Sequence, residues 1–431
     1  MNAALAEESL ASYGVAFESA RAVAGETEAV RSQAFARFAE LGFPAARDEA
    51  WKYTSLRRLE SRRFQAARRS ADASDRPDVA ALSPCRVMLV NGTVVDRSAL
   101  PSGLRVRTLD EALRDGEPQS ALLRVATGGG TERFAALNVA LCADTVVVDI
   151  DERAAPEHPL HLVLVSAGAE AHMAHPRVLI RAARGSTAGI VLHHAGDDGA
   201  ERFVNSFVEV EVATEATLRL YRLQAAGTRS FLIERIEATV GARASLLMHD
   251  AALDASLSRL DLNVRLAAPG AGTELSGLFL ADGARHLDSH VRVDHLAPDT
   301  TSLVDYRGVA AGRGRGVFNG KAVVHVDAQR SNARQTNRNL LLTPGAEIDS
   351  KPELEIYADD VKCSHGSTTG QLDPAALFYL RSRGLGEREA RSALTRAFAG
   401  AVLSRMDLAP YAAAVHAVLD ERLNRLLETP A

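Results

Sequence analysis

Residues 317–379 read VFNGKAVVHVDAQRSNARQTNRNLLLTPGAEIDSKPELEIYADDVKCSHGSTTGQLDPAALFY, and this stretch decides the fold. Short runs of Val, Leu and Ile alternate there with Asn, Gln, Asp and turn residues, a pattern typical of short strands separated by tight turns. Amide side chains at alternating strand positions, at Gln335, Asn337 and Asn339, can line up and form hydrogen bonds between stacked rungs. The stretch therefore favours a solenoid of stacked β rungs.

Strand-like runs also fill most of the chain between about Thr145 and this stretch. Turns of small residues with Gly, Glu or Asp separate them, and successive turns begin 26 to 30 positions apart, at Gly185, Glu215, Gly241, Gly270 and Asp299. A repeat of this length indicates a solenoid. The runs lack the Leu-x-x-Leu-x-Leu frame of leucine-rich repeats and are too β-branched for helical repeats, so a parallel β-helix is favoured. A β-sandwich, which also has regularly spaced short strands, stays an alternative.

Helical patterns flank the β-rich region on both sides. Residues 3–41 have apolar positions near helical spacing, and the helical pattern ends at Gly42, a common residue just past a helix end. On the other side, Asp373 suits a helix cap and Pro374 the first helical turn. Apolar residues spaced three to four apart then predict two helices, followed by a final helix over about residues 411–427.

The chain is thus expected to divide into four parts. They are an N-terminal helical region (1–75), a linker with a small α/β segment (76–144), a parallel β-helix core (145–372) and a C-terminal helical region (373–431). Within the second part, residues 70–84 are polar and rich in turn residues, and Asn91-Gly92 between two β-branched runs predicts a hairpin with a type I′ turn. Trp51, the one Trp of the chain, is expected to anchor a helix end to its neighbour.

Composition excludes several classes of protein. A net charge of −5 provides no cationic field for nucleic acid. No apolar run approaches the roughly 18 residues of a membrane span, and Glu7 and Glu8 stand where a secretory peptide would need a basic start. The three cysteines are few and far apart, which favours reduced thiols over a disulfide framework. We expect a cytoplasmic protein that binds neither nucleic acid nor membrane.

The run Gly128-Gly129-Gly130 does not predict a phosphate-binding loop. No Lys-Ser or Lys-Thr follows it, and no strand clearly precedes it. Three glycines alone more often mark a flexible loop.

Two groups of residues carry metal-ligand chemistry. Cys363 and His365 share one face if their segment is extended, and thiolate and imidazole are suitable ligands for iron or a nascent cluster. Two ligands are too few, so a complete site would need groups from another chain. In the second group, His286 and His290 would share one face of a strand and His295 the other. That arrangement favours packing and hydrogen bonding between rungs over a three-His metal site.

Six segments spread over nearly the whole chain carry a recognisable family pattern. They are residues 44–53, Phe134-Ala-Ala-Leu-Asn138, Pro159-Leu-His-Leu162, residues 205–224 with Tyr221-Arg-Leu-Gln224, residues 280–295 and residues 318–371. Together they resemble the SufB/SufD family of iron–sulfur cluster assembly scaffolds, and they are more similar to SufD than to SufB. One departure is the Cys142-Ala143-Asp144 turn, where relatives usually place a Gly after an acidic residue.

This resemblance implies a fold and a set of partners. The fold would be a right-handed parallel β-helix flanked by α-helical regions. The chain would pair with SufB and dock the ABC-type ATPase SufC, while the sequence leaves open whether the isolated chain forms a homodimer. It would be a scaffold without catalytic turnover, and the absence of any Walker signature agrees with ATP hydrolysis belonging to SufC.

The resemblance also implies site residues. The C-terminal helical region would dock the ATPase, through Leu377, Phe378, Tyr379 and Arg381. His365 would be the metal-site residue, while for Cys363 burial and function are equally favoured, because free Cys is often a small buried hydrophobe. No cofactor would be bound tightly by the chain alone, and a transient iron–sulfur cluster or iron would occupy a site shared with SufB.

Two other functions stay open on the residues alone. One is a β-helix enzyme acting on polysaccharide, which should present a cluster of carboxylates or basic groups in an exposed groove and usually a secretion signal. Neither feature is evident. The other is a structural homodimer with no metal role.

Overall fold

Two long β-sheets face each other across one apolar interior. The computed structural model describes residues 3–22, 24–45, 47–67, 79–98, 100–125 and 132–428. The strands are β1 (Gln65–Ala66), β2 (Cys85–Val90), β3 (Thr93–Arg97), β4 (Leu104–Arg107), β5 (Val146–Ile150), β6 (Leu160–Ser166), β7 (His172–Ala174), β8 (Arg177–Ala182), β9 (Thr187–Gly196), β10 (Arg202–Val212), β11 (Thr217–Ala225), β12 (Ser230–Val240), β13 (Ser245–Ala252), β14 (Leu257–Leu266), β15 (Gly272–Ala281), β16 (His286–His295), β17 (Thr301–Ala310), β18 (Arg315–Val324), β19 (Asn332–Leu341), β20 (Glu347–Ile356) and β21 (Lys362–Gly370).

Successive strands alternate between the two sheets. Sheet A has the order β20-β18-β16-β14-β12-β10-β8-β5-β4, and β7 pairs with β1 and β10 at its side. Sheet B has the order β21-β19-β17-β15-β13-β11-β9-β6-β2-β3. From β5 to β21 the neighbours within each sheet are parallel, and each turn of chain adds one strand to each sheet, for about eight turns. The parallel β-helix is confirmed, and the β-sandwich alternative is wrong.

The predicted turns lie at one corner of this solenoid. Each contains a residue with positive φ: Gly185 (66°), Glu215 (62°), Arg243 (51°), Gly270 (72°) and Asp299 (61°). In the turn that begins at Gly241, the left-handed residue is thus Arg243. The spacing of 26 to 30 positions between these turns in the sequence is therefore the number of residues in one full turn of the solenoid.

The two ends of the solenoid are built differently. At the first end β2 and β3 form the predicted hairpin, whose turn residues Asn91 and Gly92 have φ of 52° and 82°. β2 pairs with β6 and β4 pairs antiparallel with β5, so strands from the expected linker segment extend both sheets. At the other end, within the described residues, β20 pairs with β18 alone and β21 with β19 alone. This end is open.

Helices cover the outer faces of the sheets. They are α1 (Ala3–Arg21), α2 (Glu28–Leu41), α3 (Arg57–Glu60), α4 (Leu109–Arg114), α5 (Gln119–Leu122), α6 (Glu132–Leu141), α7 (Pro374–Ser382), α8 (Glu387–Leu403) and α9 (Ala409–Glu428), with short 3-10 helices at Gly25–Thr27 and Glu49–Trp51. The predicted ends of α2 at Gly42 and start of α7 after Asp373 are confirmed. None of these helices combines the length and the apolar character needed to cross a membrane.

The N-terminal helices pack on sheet A through an aromatic cluster. Trp51 is buried, contacts Phe134 with ring centroids 5.6 Å apart, and lies 4.0 Å from the Arg259 guanidinium. Trp51 is therefore an anchor, as predicted. Most of the expected linker at 70–84 and the Gly128-Gly129-Gly130 run lie outside the described residues.

The C-terminal helices α8 and α9 pack on sheet B. Tyr411 is fully buried, and its hydroxyl oxygen lies 2.7 Å from the backbone carbonyl oxygen of Arg222 and 3.0 Å from that of His249, so its one proton is shared between the two acceptors. The Arg307 guanidinium donates to the Phe398 carbonyl at 2.6 Å. In contrast, α7 has no buried residue.

Candidate functional site

The open end of the solenoid holds the two residues predicted to be metal ligands. Cys363 and His365 both lie on β21, the last strand of sheet B. In the pairing with β19, Cys363 lies opposite Ala333 and His365 opposite Gln335. Ala333 and Gln335 are buried, whereas Arg334 between them is exposed, so Cys363 and His365 share the face that looks into the solenoid.

The two candidate ligands have different surroundings. Cys363 is half-buried and packs beside Val324, Ala328 and Ala358 at the corner of the last turn. Burial raises the pKa of the Cys363 thiol, and a hydrogen bond with the backbone of Ala333 offsets part of that rise. The side chain of His365 is exposed. Its imidazole is therefore accessible to a group carried by another chain, while the Cys363 thiol is kept protonated and less reactive.

Polar groups replace the apolar interior at this end. Asn337 Oδ1 accepts hydrogen bonds from Asn339 Nδ2 at 2.6 Å and from Ser350 Oγ at 2.7 Å. Ser350 Oγ also lies 2.7 Å from Ser367 Oγ of β21. The predicted amide residues do connect rungs, but through hydroxyls and a backbone carbonyl rather than through amide ladders.

Sequence reasoning missed the part played by Ser350 and Ser367. A local signal for Ser367 does exist, because every second residue from Cys363 to Thr369 carries a polar or thiol side chain. No local signal reveals Ser350, which lies on the opposite sheet.

The predicted docking residues lie on a separate surface next to this end. Phe378 is 74% exposed and Tyr379 is 56% exposed, both on α7. Arg381 of the same helix pairs with Glu387 at 3.5 Å on the surface. Leu377 is half-buried. Three residues, 371–373, connect β21 to α7.

The second histidine group is dispersed, as strand alternation predicts. On the outer face of sheet A, His286 Nε2 lies 2.9 Å from Thr54 Oγ1, and His290 Nε2 lies 3.0 Å from Asp288 Oδ1. His295 faces inward and contacts Thr300. In the part of the chain that the structure describes, no three His, Cys, Asp or Glu residues are placed to hold a metal ion.

A buried charge cluster spans the interior further from the open end. The Arg222 guanidinium contacts Glu234 and, at 2.6 Å, Asp250, while His194 Nε2 lies 2.6 Å from Glu234 Oε1. Burial alone would raise the pKa of Glu234, but attraction to His194 and Arg222 outweighs it and holds that pKa well below its ordinary value. Sequence reasoning did not find this cluster. Its members join the two sheets across the core.

Comparison with known proteins gives matches over most of the chain. A family model described as SUF system FeS cluster assembly, SufBD core domain, matches residues 164–398, and one described as SufBD protein N-terminal region matches residues 17–162.

Curated relatives match over similar lengths. An iron–sulfur cluster assembly SufBD family protein of Synechocystis is 31% identical, with 86% of this chain and 85% of the relative covered. The iron–sulfur cluster assembly protein SufD of Escherichia coli is 28% identical, with 83% and 84% covered. Protein ABCI7, chloroplastic, of Arabidopsis thaliana is 26% identical, with 84% and 79% covered.

Proposed function

This chain belongs to the SufBD family, and from that membership we propose that it is a scaffold subunit of a SUF-type iron–sulfur cluster assembly complex. It pairs with a SufB-type paralogue, docks a SufC-type ATPase and supplies His365 to a site shared between the two scaffold chains. ATP hydrolysis belongs to the ATPase. The observation that carries the proposal is the open end of the solenoid, where an accessible candidate ligand lies on a strand edge that pairs with no further strand among the described residues.

The free edge of β21 supports pairing with another solenoid. Exposed edges recruit strands, and proteins protect edges that stay free with charges and proline. The outer edge of sheet A has such protection, because β20 carries Pro352 and several charged residues. β21 has no charged residue after Lys362 and no proline. Ile356 and Tyr357, at the end of β20, are 43% and 60% exposed and offer apolar contact area beside that edge. A partner strand added to β21 would satisfy its free backbone groups.

The exposed aromatic pair on α7 supports docking of the ATPase. Phe378 and Tyr379 present a large apolar surface on a helix that contributes nothing to the core. Aromatic residues of this kind are frequent anchors of protein interfaces. Because the segment 371–373 is short, a displacement of α7 by the ATPase would pull directly on β21.

His365 is the favoured ligand for a shared site, and the cluster or iron there is cargo rather than a resident cofactor. An exposed imidazole is available to a metal ion presented by the paralogue. Cys363 provides a second ligand only if its thiol loses the proton that its surroundings favour. A single chain therefore lacks a complete ligand set, which is the reason to expect no cluster on the isolated protein.

The proposal is tested by anaerobic purification of the chain alone, with the paralogue, and with the paralogue and the ATPase. Complex formation is followed by size-exclusion chromatography, and iron and sulfide are measured after reconstitution. We expect metal retention only in the complexes. His365→Ala should lower the cluster yield while the complex still assembles, and His158→Ala, at another exposed histidine, should behave like the wild type.

Two results would count against separate parts of the proposal. Failure of the wild-type chain to bind the paralogue would remove the scaffold function. Normal cluster yield in His365→Ala, with normal assembly, would remove the role of His365 alone.

A further inference from the structure

A chain of hydrogen bonds crosses the interior at the open end of the solenoid. Asn337, which has 0% exposure, lies at the centre of β19 and opposite Ser367 in the pairing with β21. Ser367 is two residues from His365 and shares its inward face. Ser350 of β20 lies between them across the interior.

The direction of these bonds follows from counting protons. The Asn337 amide nitrogen donates to the carbonyl oxygen of Tyr306 at 3.2 Å, so its Oδ1 is the atom that accepts from Ser350. A hydroxyl has one proton to donate. Because Ser350 donates to Asn337, Ser367 is the donor in the 2.7 Å contact between the two serines. The orientation of Asn337 thus sets the direction of each bond out to β21.

Apolar packing is sparse in the last turn, which is held to the solenoid by its backbone ladders and by ion pairs from β18 to β20. No residue of β20 or β21 is buried, whereas Tyr306 of β17 and Phe318 of β18 have buried rings in contact, with centroids 5.0 Å apart. The apolar contacts of the last turn are those of Ile348 of β20 with the core and those at the corner, where Ala358, Val361 and Cys363 pack against Val324 and Ala328. Beyond Cys363, the inward face of β21 makes polar contacts, those of Ser367 with Ser350 and of Thr369 with Asn339.

We propose that Asn337 is a positioning residue for His365. With Ser350 and Ser367 it forms a clasp that holds β21 against the closed part of the solenoid and so sets the place of the His365 imidazole. The assignment of His365 as a ligand rests on the proposed function. The clasp is a property of the isolated chain and is tested without any partner.

Substitution of Asn337 should open the clasp. Asn337→Leu keeps the branched shape of the side chain but removes the acceptor of Ser350 and the donor to the Tyr306 carbonyl. Asn337→Asp places a carboxylate against that carbonyl in a buried position, which is unfavourable. Arg338→Ala is the matched control, because Arg338 is the next residue on β19 and its side chain is exposed on the outer face.

The thiol of Cys363 reports on the position of β21. It is half-buried, whereas Cys85 and Cys142 are buried elsewhere. Alkylation of each cysteine by iodoacetamide is followed by peptide mass spectrometry on the full chain. We expect Cys363 to react about tenfold faster in both Asn337 variants, the factor that corresponds to a loss of about 1.4 kcal/mol of local stability. Arg338→Ala should label at the wild-type rate.

The imidazole of His365 gives a second, direct readout. In histidine-selective isotope-labelled protein, its ring signals, assigned with His365→Ala, should shift in the Asn337 variants and stay in place in Arg338→Ala. Ser367→Ala should shift them as well, and adding it to Asn337→Leu should produce little further effect, because residues of one network are not additive.

Three results would overturn the inference. These are unchanged Cys363 labelling in Asn337→Leu, unchanged His365 signals, or equal acceleration at Cys85 and Cys142, which would indicate general loosening. If the Asn337 variants do not fold, Ser350→Ala opens the same clasp outside the core and is judged by the same readouts. Failure to bind the paralogue would leave this inference standing.

Discussion

At the scale of single residues, glycines beneath aromatic rings allow large side chains into the narrow interior. Gly277 of β15 lies between Asp250 of β13 and Tyr306 of β17 in the sheet. A Cβ at position 277 would overlap the Tyr306 ring. The missing side chain lets the Tyr306 hydroxyl approach the Asp250 carboxyl across the intervening strand, and burial holds the pKa of Tyr306 well above its ordinary value.

Gly277→Ala should therefore destabilise the protein. Overpacking a dense core typically costs about 1–3 kcal/mol, and we expect a loss in that range from urea unfolding. Gly272→Ala, in the same strand, is the control, since a Cβ there would make only ordinary contacts at 3.8 and 3.9 Å. Equal unfolding midpoints for the two variants would contradict the prediction, because they would mean that the Tyr306 ring moves aside with no loss in the free energy of unfolding.

At the scale of elements, the C-terminal helices differ in how they are attached. Arg422 of α9 is buried and its guanidinium contacts Asp254 at 2.6 Å and Asp282 at 3.4 Å at a corner of the solenoid. The exposed pair Arg396 and Asp420 joins α8 to α9 at 3.1 Å. α9 is thus fixed to the sheet by buried charge, while α7 lies on the surface with its aromatic residues free of the core.

Arg422→Met should weaken the attachment of α9 to the solenoid, because it removes the contacts with Asp254 and Asp282. Hydrogen bonds to buried charged groups contribute more than exposed ion pairs, so we expect a loss of about 2 kcal/mol. Amide exchange should accelerate in α9 and remain unchanged in the β20 and β21 strands. Arg396→Met removes only a surface pair and should cost at most about 1 kcal/mol. Similar losses in both variants would mean that burial does not decide the strength of these contacts.

At the scale of the whole molecule, buried histidines make the fold sensitive to acid. Burial lowers the pKa of His161 and His175 to about 3 and of His193 and His295 to about 4, from an ordinary value of 6.5. Between these values the unfolded chain binds protons that the folded chain excludes. The four neutral histidines cost the folded protein no stability above pH 6.5, their ordinary pKa. As the pH falls from 6.5 towards their pKa values in the folded protein, proton binding increasingly favours the unfolded chain.

The free energy of unfolding should therefore decrease steadily from about pH 6.5 to about pH 4.5, a window above the range where most carboxylates titrate. Urea unfolding at several pH values measures the slope. His295→Gln should reduce the slope, whatever its effect on stability at neutral pH. His158→Gln, at an exposed position, should retain the wild-type slope. A flat pH dependence in the wild type would contradict the prediction.

Features governed by neighbouring residues could be predicted from the sequence. Asn91-Gly92 favours positive φ, and a hairpin turn lies there. Asp373 and Pro374 favour a helix start, and α7 begins at Pro374. The spacing of the turn residues equals the length of one turn of the solenoid. The period-two alternation in β21 likewise placed Cys363 and His365 on one face. Each of these depends on backbone preferences or strand periodicity within a few residues.

Contacts between residues far apart in the chain were decided by the tertiary structure. Arg222, Glu234 and Asp250 lie on three strands of two sheets, and nothing in their local sequence indicates that their charges meet. The same holds for Ser350 and Ser367, which meet only because the two sheets close over the last turn. By itself the sequence favoured a β solenoid with helical flanks over a β-sandwich, and it placed Cys363 and His365 on one face of an extended segment. Only the tertiary structure decided that β21 is the last strand of sheet B among the described residues, and that its Ser367 reaches the buried amide of Asn337 through Ser350. The physical reason is that contacts across the interior join residues far apart in the chain.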